Sequence, residues 1–233
     1  MNPRRPTPPG PQPGPFDQAR APPLSSYLSL YWDFKLLNRV HRVIFLLVFS
    51  LMYKFISQNE YLVLHPRPVY LIVSRSSNGR LNVMAASWVT PVSDEPFLVA
   101  ISVWKGSLTY QYIKETREFT VNIPSERHVN VVFKAGSMSG RDIDKLTILG
   151  LKTTPSRAIN TPGLEDMLGF LECKVTKEVD LNESTLFIAE VQAIHVREDL
   201  YTKYGWDLSK TRILLHHSGR GFTTTSRLIL AER

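Results

Sequence analysis

Residues 81–109 read LNVMAASWVTPVSDEPFLVAISVWKGSLT and predict two consecutive β-strands joined by a tight turn. The first strand covers residues 81–89 and contains small side chains just before Trp88. Prolines and the triplet Ser93-Asp94-Glu95 provide the turn chemistry at the corner. The second strand covers residues 97–103. The pattern of residues 81–103 predicts that the two strands pair and are buried.

The second of these strands predicts two unlike faces, because side chains alternate along a strand. One face is large and apolar, and the other is small and partly hydroxylic near its end. A large planar group can therefore lie across the small face without meeting bulky side chains. The large face consists of Phe97, Val99, Ile101 and Val103, and the small face of Leu98, Ala100 and Ser102.

The polar turn after the second strand has the composition of a phosphate site. Residues 104–109 include Lys105, Gly106, Ser107 and Thr109, and a short helical pattern begins at Leu108. Backbone amides at a helix start, together with hydroxyls and a lysine, are suited to binding phosphate. An ordinary helix N-cap also explains Ser107 or Thr109, and both roles can hold together. A flat surface beside a phosphate site indicates a flavin nucleotide.

Five segments of the chain, in matching order, resemble the flavin reductase-like, FMN-binding split-barrel family (flavoredoxin-like). The resemblance runs from about residue 61 to about residue 230. It implies a mainly β fold, a six-stranded antiparallel Greek-key split barrel with short helices in the crossovers. It also implies a homodimer with flavin near the subunit interface. The segments are HPRPV at 65–69, residues 82–93 and 96–102, FTVNIP at 119–124 and SGRDIDK at 139–145.

The same resemblance implies a set of flavin ligands. One group matches the segment that holds the flavin ring and the ribityl chain through backbone hydrogen bonds. A second group matches the phosphate end. The first group is Asn82, Ala85, Ala86, Ser87 and Trp88, and the second is Ser102, Lys105, Ser107 and Thr109.

His216 and His217 resemble the family's C-terminal His-x-Gly segment near the flavin. Adjacent residues of a strand point to opposite faces, so we expect one of the two, His217, to face the substrate. A metal site needs a third ligand, and none is near in sequence, so we predict no metal. Arg141 and Lys145 lie in a glycine-flanked loop, where they contact phosphate or nicotinamide or remain solvated charges.

The predicted function is transfer of hydride from NAD(P)H to flavin N5. This chemistry belongs to the cofactors, so the sequence predicts no catalytic acid, base or nucleophile. No Rossmann glycine motif is present, and in the resembled family NAD(P)H stacks directly on the flavin. FAD in place of FMN stays open. So do a non-enzymatic FMN electron carrier reduced by a partner protein and a membrane-recruited adaptor with a vestigial barrel.

The net charge of +7 does not indicate nucleic-acid binding. Residues 1–60 hold seven basic and three acidic side chains, whereas the remaining residues hold 21 basic and 18 acidic ones. The main body therefore lacks the dense basic stripe that phosphate backbones require. Cys173 is the only cysteine, which excludes an intramolecular disulfide and fits a reducing compartment such as the cytoplasm. Its place on an apolar strand predicts a buried small residue.

Residues 1–60 predict an N-terminal extension that precedes a flavin-binding domain at 61–233. Residues 1–23 hold nine of the 16 prolines and are expected to be disordered, with a polyproline ligand as the alternative. The apolar run at 43–53 is 11 residues long, and a spanning helix needs about 20. Membrane association through this run is unexpected but open. Translation from Met52 is a further alternative.

The rest of the chain predicts short strands and helices. Asn78-Gly79 predicts a hairpin turn, and residues 182–184 predict another. Seven or so strands with short helices in the crossovers predict a closed antiparallel barrel. The predicted helices are 108–116, 128–135 and 142–149, and the further strands are 69–74, 119–123, 170–181, 185–197 and 212–217.

Overall fold

The computed structural model describes residues 54–56 and 60–231. From Tyr61 onward the chain forms one compact unit. The predictions for residues 1–23, for the apolar run at 43–53 and for a start at Met52 lie outside the described residues. Within the described part of the chain, no helix has the length and apolar character needed to cross a membrane.

The fold is mainly β, with three short α-helices among the described residues. The strands, in chain order, are β1 (Arg67–Pro68), β2 (Tyr70–Arg75), β3 (Leu81–Ala86), β4 (Val89–Asp94), β5 (Phe97–Trp104), β6 (Glu118–Ile123), β7 (Thr153–Thr154), β8 (Gly163–Leu164), β9 (Gly169–Leu181), β10 (Ser184–Val196), β11 (Tyr201–Thr202), β12 (Gly205–Trp206), β13 (Leu214–Ser218) and β14 (Gly221–Thr224). The helices are α1 (Leu108–Thr116), α2 (Val129–Ser137) and α3 (Lys145–Leu149). Single 3₁₀ turns cover Tyr61–Leu64, Glu126–His128 and Glu198–Leu200.

The main sheet has seven strands in the order β3-β2-β6-β9-β10-β5-β4, and every neighbouring pair is antiparallel. The predicted closed, six-stranded barrel is therefore wrong in strand count and in closure. A smaller sheet, in the order β1-β13-β14, carries the C-terminal strands of the described chain.

The extra strand arises because the predicted strand at 81–89 is two strands. β3 pairs with β2, and β4 pairs with β5, at opposite edges of the sheet. Only Ser87 and Trp88 separate them, and three Cα steps of 3.8 Å span at most about 11 Å. The sheet must therefore curl until its edges are near each other. Trp88 O accepts from Ser102 N (3.1 Å), which continues the β4–β5 ladder and leaves the edges unpaired.

The sheet buries apolar residues on both faces. Ile72 lies in one cluster, while its neighbours Leu71 and Val73 lie in the other, as alternation requires. All three are fully buried, and each contributes about 1.5–3 kcal/mol by burial. The predicted large face of β5 is confirmed, because Val99, Ile101 and Val103 are core residues of the first cluster and Phe97 packs against them. Helices α2 and α3 cover the second cluster.

Capping residues and turn residues determine where most helices and hairpins begin and end. Helix α1 matches the predicted range 108–116, with Ser107 as N-cap. Helix α3 is shorter than predicted, because Asp144 caps it and Gly150 ends it in the left-handed region (φ 63°). The turn at Asn78-Gly79 and the long β9–β10 hairpin are confirmed; Gly79 (φ 91°) and Asn182 (φ 61°) supply the positive φ.

Candidate functional site

Two clefts lie along β3, where the starts of α1 and α3 and the end of α2 converge. The helix-start cleft has a volume of about 370 Å³. Its described lining residues include no aspartate or glutamate. Six predicted site residues line it: Asn82, Ala85, Ser107, Thr109, Arg141 and Lys145.

One end of the helix-start cleft is formed by the first turn of α1. Ser107 Oγ accepts from Tyr110 N (3.1 Å) and donates to Trp104 O (2.8 Å), so the predicted N-cap is confirmed. The Arg141 guanidinium reaches the same turn, where it donates to Gly106 O (3.4 Å) and to Gln111 Oε1 (3.3 Å). A helix N-terminus and a guanidinium both favour a negative group, so this end of the cleft is suited to an anion.

Asn82 and Thr109 form a buried polar pair at the base of the same cleft. Asn82 Nδ2 donates to Thr109 Oγ1 over 2.8 Å, and the two residues are 4% and 1% exposed. Asn82 Oδ1 is buried without a hydrogen-bond partner among the described residues. Gly140 packs directly on this amide, since a Cβ there would collide with it. An unpaired buried carbonyl oxygen calls for a donor, such as an N–H or O–H of a ligand.

Lys145 is a buried residue of the cleft wall, not a solvated loop charge. Its Nζ donates to Ala135 O (2.7 Å) and to Val83 O (3.0 Å), and the residue is 5% exposed. Burial lowers the pKa of its amine. The Lys145 side chain therefore links β3 to the end of α2.

The second cleft is apolar and has a volume of about 280 Å³. It adjoins the first at Ala85 and Gly136, which line both. A Cβ at Gly136 would lie 3.3 Å from the Ala85 Cβ, so α2 approaches β3 closely here. The predicted ring residues Ala86 and Ser87 line this cleft. The other walls include Val69, Val132, Phe133 and Phe222.

The histidine that lines the apolar cleft is His216, whereas the sequence selected His217. His216 contacts the rings of His65 (5.4 Å) and Phe222 (5.1 Å), whereas His217 is exposed at an irregularity in the β13–β14 pairing. The Tyr61 ring contacts the ring of His65 (5.9 Å) and that of Trp88 (5.5 Å). Together with His216 and Phe222, these three residues form a row of rings beside the cleft, the aromatic rim.

Three predicted flavin ligands line neither cleft. Lys105 forms an ion pair with Asp180 (2.8 Å), because β5 pairs with β10 and brings the β9–β10 hairpin beside it. Ser102 lies opposite Leu186 in the same ladder. Trp88 is 44% exposed in the aromatic rim.

Sequence reasoning missed Gly136, Gly140, Phe133 and Phe222, and of the histidine pair it selected His217 in place of His216. A signal for the first two existed, since residues 133–140 read FKAGSMSG and small residues there allow close packing on β3. Phe222 lies in the cleft because β14 pairs with β13, and Phe133 because α2 packs on the second cluster; both are tertiary contacts.

The fold and the two clefts can be compared with known proteins. A family model described as flavin reductase like domain matches residues 62–225, so the chain belongs to the flavin reductase-like family. An uncharacterized protein of Archaeoglobus fulgidus is 35% identical over 164 residues, which cover 70% of this chain and 90% of that protein.

Two flavoredoxin structures share the fold. That of Desulfovibrio vulgaris (Miyazaki F) has a TM-score of 0.69 and 26% identity, and the match covers 76% of this chain and 97% of its own. That of Methanosarcina acetivorans has a TM-score of 0.69 and 25% identity, with 77% and 95% covered. The predicted family is therefore confirmed, and both comparisons support flavin binding.

Proposed function

We propose that this protein binds FMN with its phosphate in the helix-start cleft. The observation that carries the proposal is the meeting of the α1 N-terminus with Arg141 in a cleft whose described lining has no carboxylate. The first-turn amides and the guanidinium would hold the phosphate. Ser107 keeps its N-cap role, so its position marks the edge of the phosphate site.

In this proposal the flavin ring extends from the helix-start cleft toward the apolar cleft. Ala85 and Gly136 line both clefts and so mark the path from one cleft to the other. The unpaired Asn82 Oδ1 fits a donor on the nucleotide, either a ribityl hydroxyl or a ring N–H. We propose that backbone groups at 85–87 bind the ring edge.

We further propose that the protein is an NAD(P)H-dependent flavin oxidoreductase. FMN, when bound, supplies the two-electron chemistry, accepting a hydride at N5. The chain supplies an apolar, ring-lined cleft in which His216, Phe133 and Phe222 would stack and orient a nicotinamide. The same apolar walls would exclude water from the reacting atoms.

A second function, an FMN electron carrier reduced by a partner protein, is favoured by the likeness to flavoredoxin. The two functions differ in whether NADH or NADPH reduces the bound flavin directly. We expect anaerobic addition of NADPH or NADH to bleach the visible absorption of the FMN-loaded protein within seconds. Bleaching by dithionite but by neither nicotinamide would make the protein a carrier.

We also propose a homodimer in which the second copy covers the mouth of the apolar cleft. Tyr61 is 55% exposed and Trp88 44% exposed at the aromatic rim, and Val63 and Leu64 nearby are each 67% exposed. Apolar rings and side chains of this size are stabilised by a covering surface. Residues 1–60 would form a separate N-terminal extension, since the family match begins at residue 62.

A further inference from the structure

A third cleft, which we call the cationic cleft, lies beside the 3₁₀ turn that precedes α2, whereas the helix-start cleft lies at the other end of this helix. The volume of the cationic cleft is about 260 Å³. Two mostly buried hydroxyl residues, Ser125 (7% exposed) and Thr211 (9%), are part of its wall. Basic side chains outnumber acidic ones in its described lining, so the cleft favours an anion. The charged lining residues are Arg127, Arg197, Lys210 and Arg212 on the basic side and Glu126 on the acidic side.

Two of the four basic side chains are committed to neighbouring carboxylates. Arg127 donates to Asp166 Oδ1 over 2.6 Å. Arg197 donates to both carboxylate oxygens of Asp199, over 3.2 and 3.3 Å. Because these two carboxylates offset the charges of their partners, the binding of an anion depends on the other two basic residues.

Lys210 and Arg212 are paired only weakly. Lys210 Nζ lies 3.5 Å from Asp207 Oδ2 and 3.4 Å from Asp199 O. Among the described residues, the one carboxylate oxygen near the Arg212 guanidinium is Glu126 Oε2, and it lies 3.9 Å from Nε, beyond hydrogen-bonding distance. A guanidinium presents its N–H donors in a fork that matches two oxygens of a phosphate. Lys210 and Arg212 therefore have donors left for a phosphate group.

Two elements lead from the cationic cleft to the apolar cleft. Ser125 of the cationic cleft forms a β-bridge with Ile213, and His216 of the apolar cleft follows Ile213 along the chain, about 10 Å further at about 3.3 Å per residue. Helix α2 and the turn before it join Glu126 to Phe133 of the apolar cleft, again over about 10 Å at about 1.5 Å per residue. Both routes place the cationic cleft about 10 Å from the cleft proposed for the nicotinamide.

We infer that the cationic cleft binds the 2′-phosphate of NADPH, so that Lys210 and Arg212 make the protein select NADPH over NADH. The inference rests on the proposed oxidoreductase function, with the nicotinamide in the apolar cleft. NADPH differs from NADH only in this phosphate, which two riboses and a diphosphate join to the nicotinamide. This linker is long enough to span the distance between the two clefts. An arginine meets the 2′-phosphate of NADP in dinucleotide-binding folds of another class as well.

The test compares kcat/KM for NADPH and for NADH in the full-length, FMN-loaded protein. We expect wild type to use NADPH at least about tenfold better than NADH, since charge-assisted bonds to phosphate are strong. The double variant Lys210→Gln/Arg212→Gln should lose this preference through a lower kcat/KM for NADPH, with that for NADH nearly unchanged. The two side chains are 61% and 57% exposed, so the variant is expected to fold. The matched control is Lys174→Gln/Lys177→Gln, which removes two exposed lysines of β9 that line none of the three clefts and should keep the preference.

Equal use of NADPH and NADH by wild type, or a double variant that slows both alike, would overturn the inference. A calorimetric titration with adenosine 2′,5′-bisphosphate gives a second measurement that needs no turnover. Wild type should bind this compound at least about tenfold more tightly than the double variant does, and equal binding would also overturn the inference. If neither nicotinamide reduces the FMN, the proposed oxidoreductase function fails, and the titration alone then decides whether the cationic cleft is a site for a 2′-phosphate.

Discussion

Ser107→Asp gives the sharpest test of where the phosphate binds. Aspartate is as good an N-cap as serine, so helix α1 and the bond to Tyr110 N should persist. The new carboxylate would stand about 4 Å from the proposed phosphate, where two unit charges repel by about 4 kcal/mol at an effective dielectric of 20. Because Ser107 is partly exposed, solvent and salt reduce this figure to roughly 2 kcal/mol.

We therefore expect the FMN dissociation constant of the Ser107→Asp variant to rise at least about 30-fold, since each 1.4 kcal/mol is a factor of ten. Riboflavin lacks the phosphate, and its affinity should change little. Ser107→Asn is the matched control, because it keeps a capping side chain without the charge. The assay is a flavin fluorescence titration with both ligands. Equal weakening of FMN and riboflavin would mean a disturbed fold, and no weakening of either would place the phosphate elsewhere.

Three further predictions concern stability and assembly. Glu172 is fully buried, and burial by itself raises the pKa of its carboxyl group. Hydrogen bonds from Arg157 N and Ala158 N (2.7 Å each) and from His195 outweigh this effect, so the pKa is lowered. Glu172→Gln should lower the free energy of unfolding by about 1–3 kcal/mol in urea. Because the pKa of Glu172 is lower in the folded state, its carboxylate stabilises the fold at pH values above the ordinary glutamate pKa, and this contribution is lost as the pH falls through the folded pKa. A difference between wild type and variant that does not change with pH would contradict this. A chain beginning at Met52 should stay soluble, keep flavin and unfold cooperatively, and loss of flavin would show that residues 1–51 belong to the site. Light scattering of the FMN-loaded protein should give the mass of a dimer. A monomer mass would refute the proposal that a second copy covers the mouth of the apolar cleft.

The sequence predicted best what short-range chemistry controls. Helix α1 and its Ser107 cap follow from side chains within one turn, and Asn78-Gly79 specifies its own hairpin. The alternation of β5 gave its buried face, because only the identity of every second residue is needed. The family resemblance added the prediction of flavin binding and of the order of the elements.

Long-range pairing controls what the sequence did not predict. The break at Ser87 depends on β3 and β4 finding different partners across the sheet. Lys105 has the composition of a phosphate ligand, but the β9–β10 hairpin presents Asp180 to it. Whether His216 or His217 faces the cleft depends on the register of β13 with β1, and a shift of one residue would exchange them.

The flavin content of the purified full-length protein decides whether this chain is an FMN protein. After saturation with FMN and removal of the excess, the absorption spectrum and chromatography of the released cofactor measure its identity and stoichiometry. We expect about one FMN per chain, retained in preference to riboflavin. A protein that retains no flavin and gives no saturable quenching of FMN fluorescence would contradict it, and selective retention of FAD would contradict the assignment of FMN.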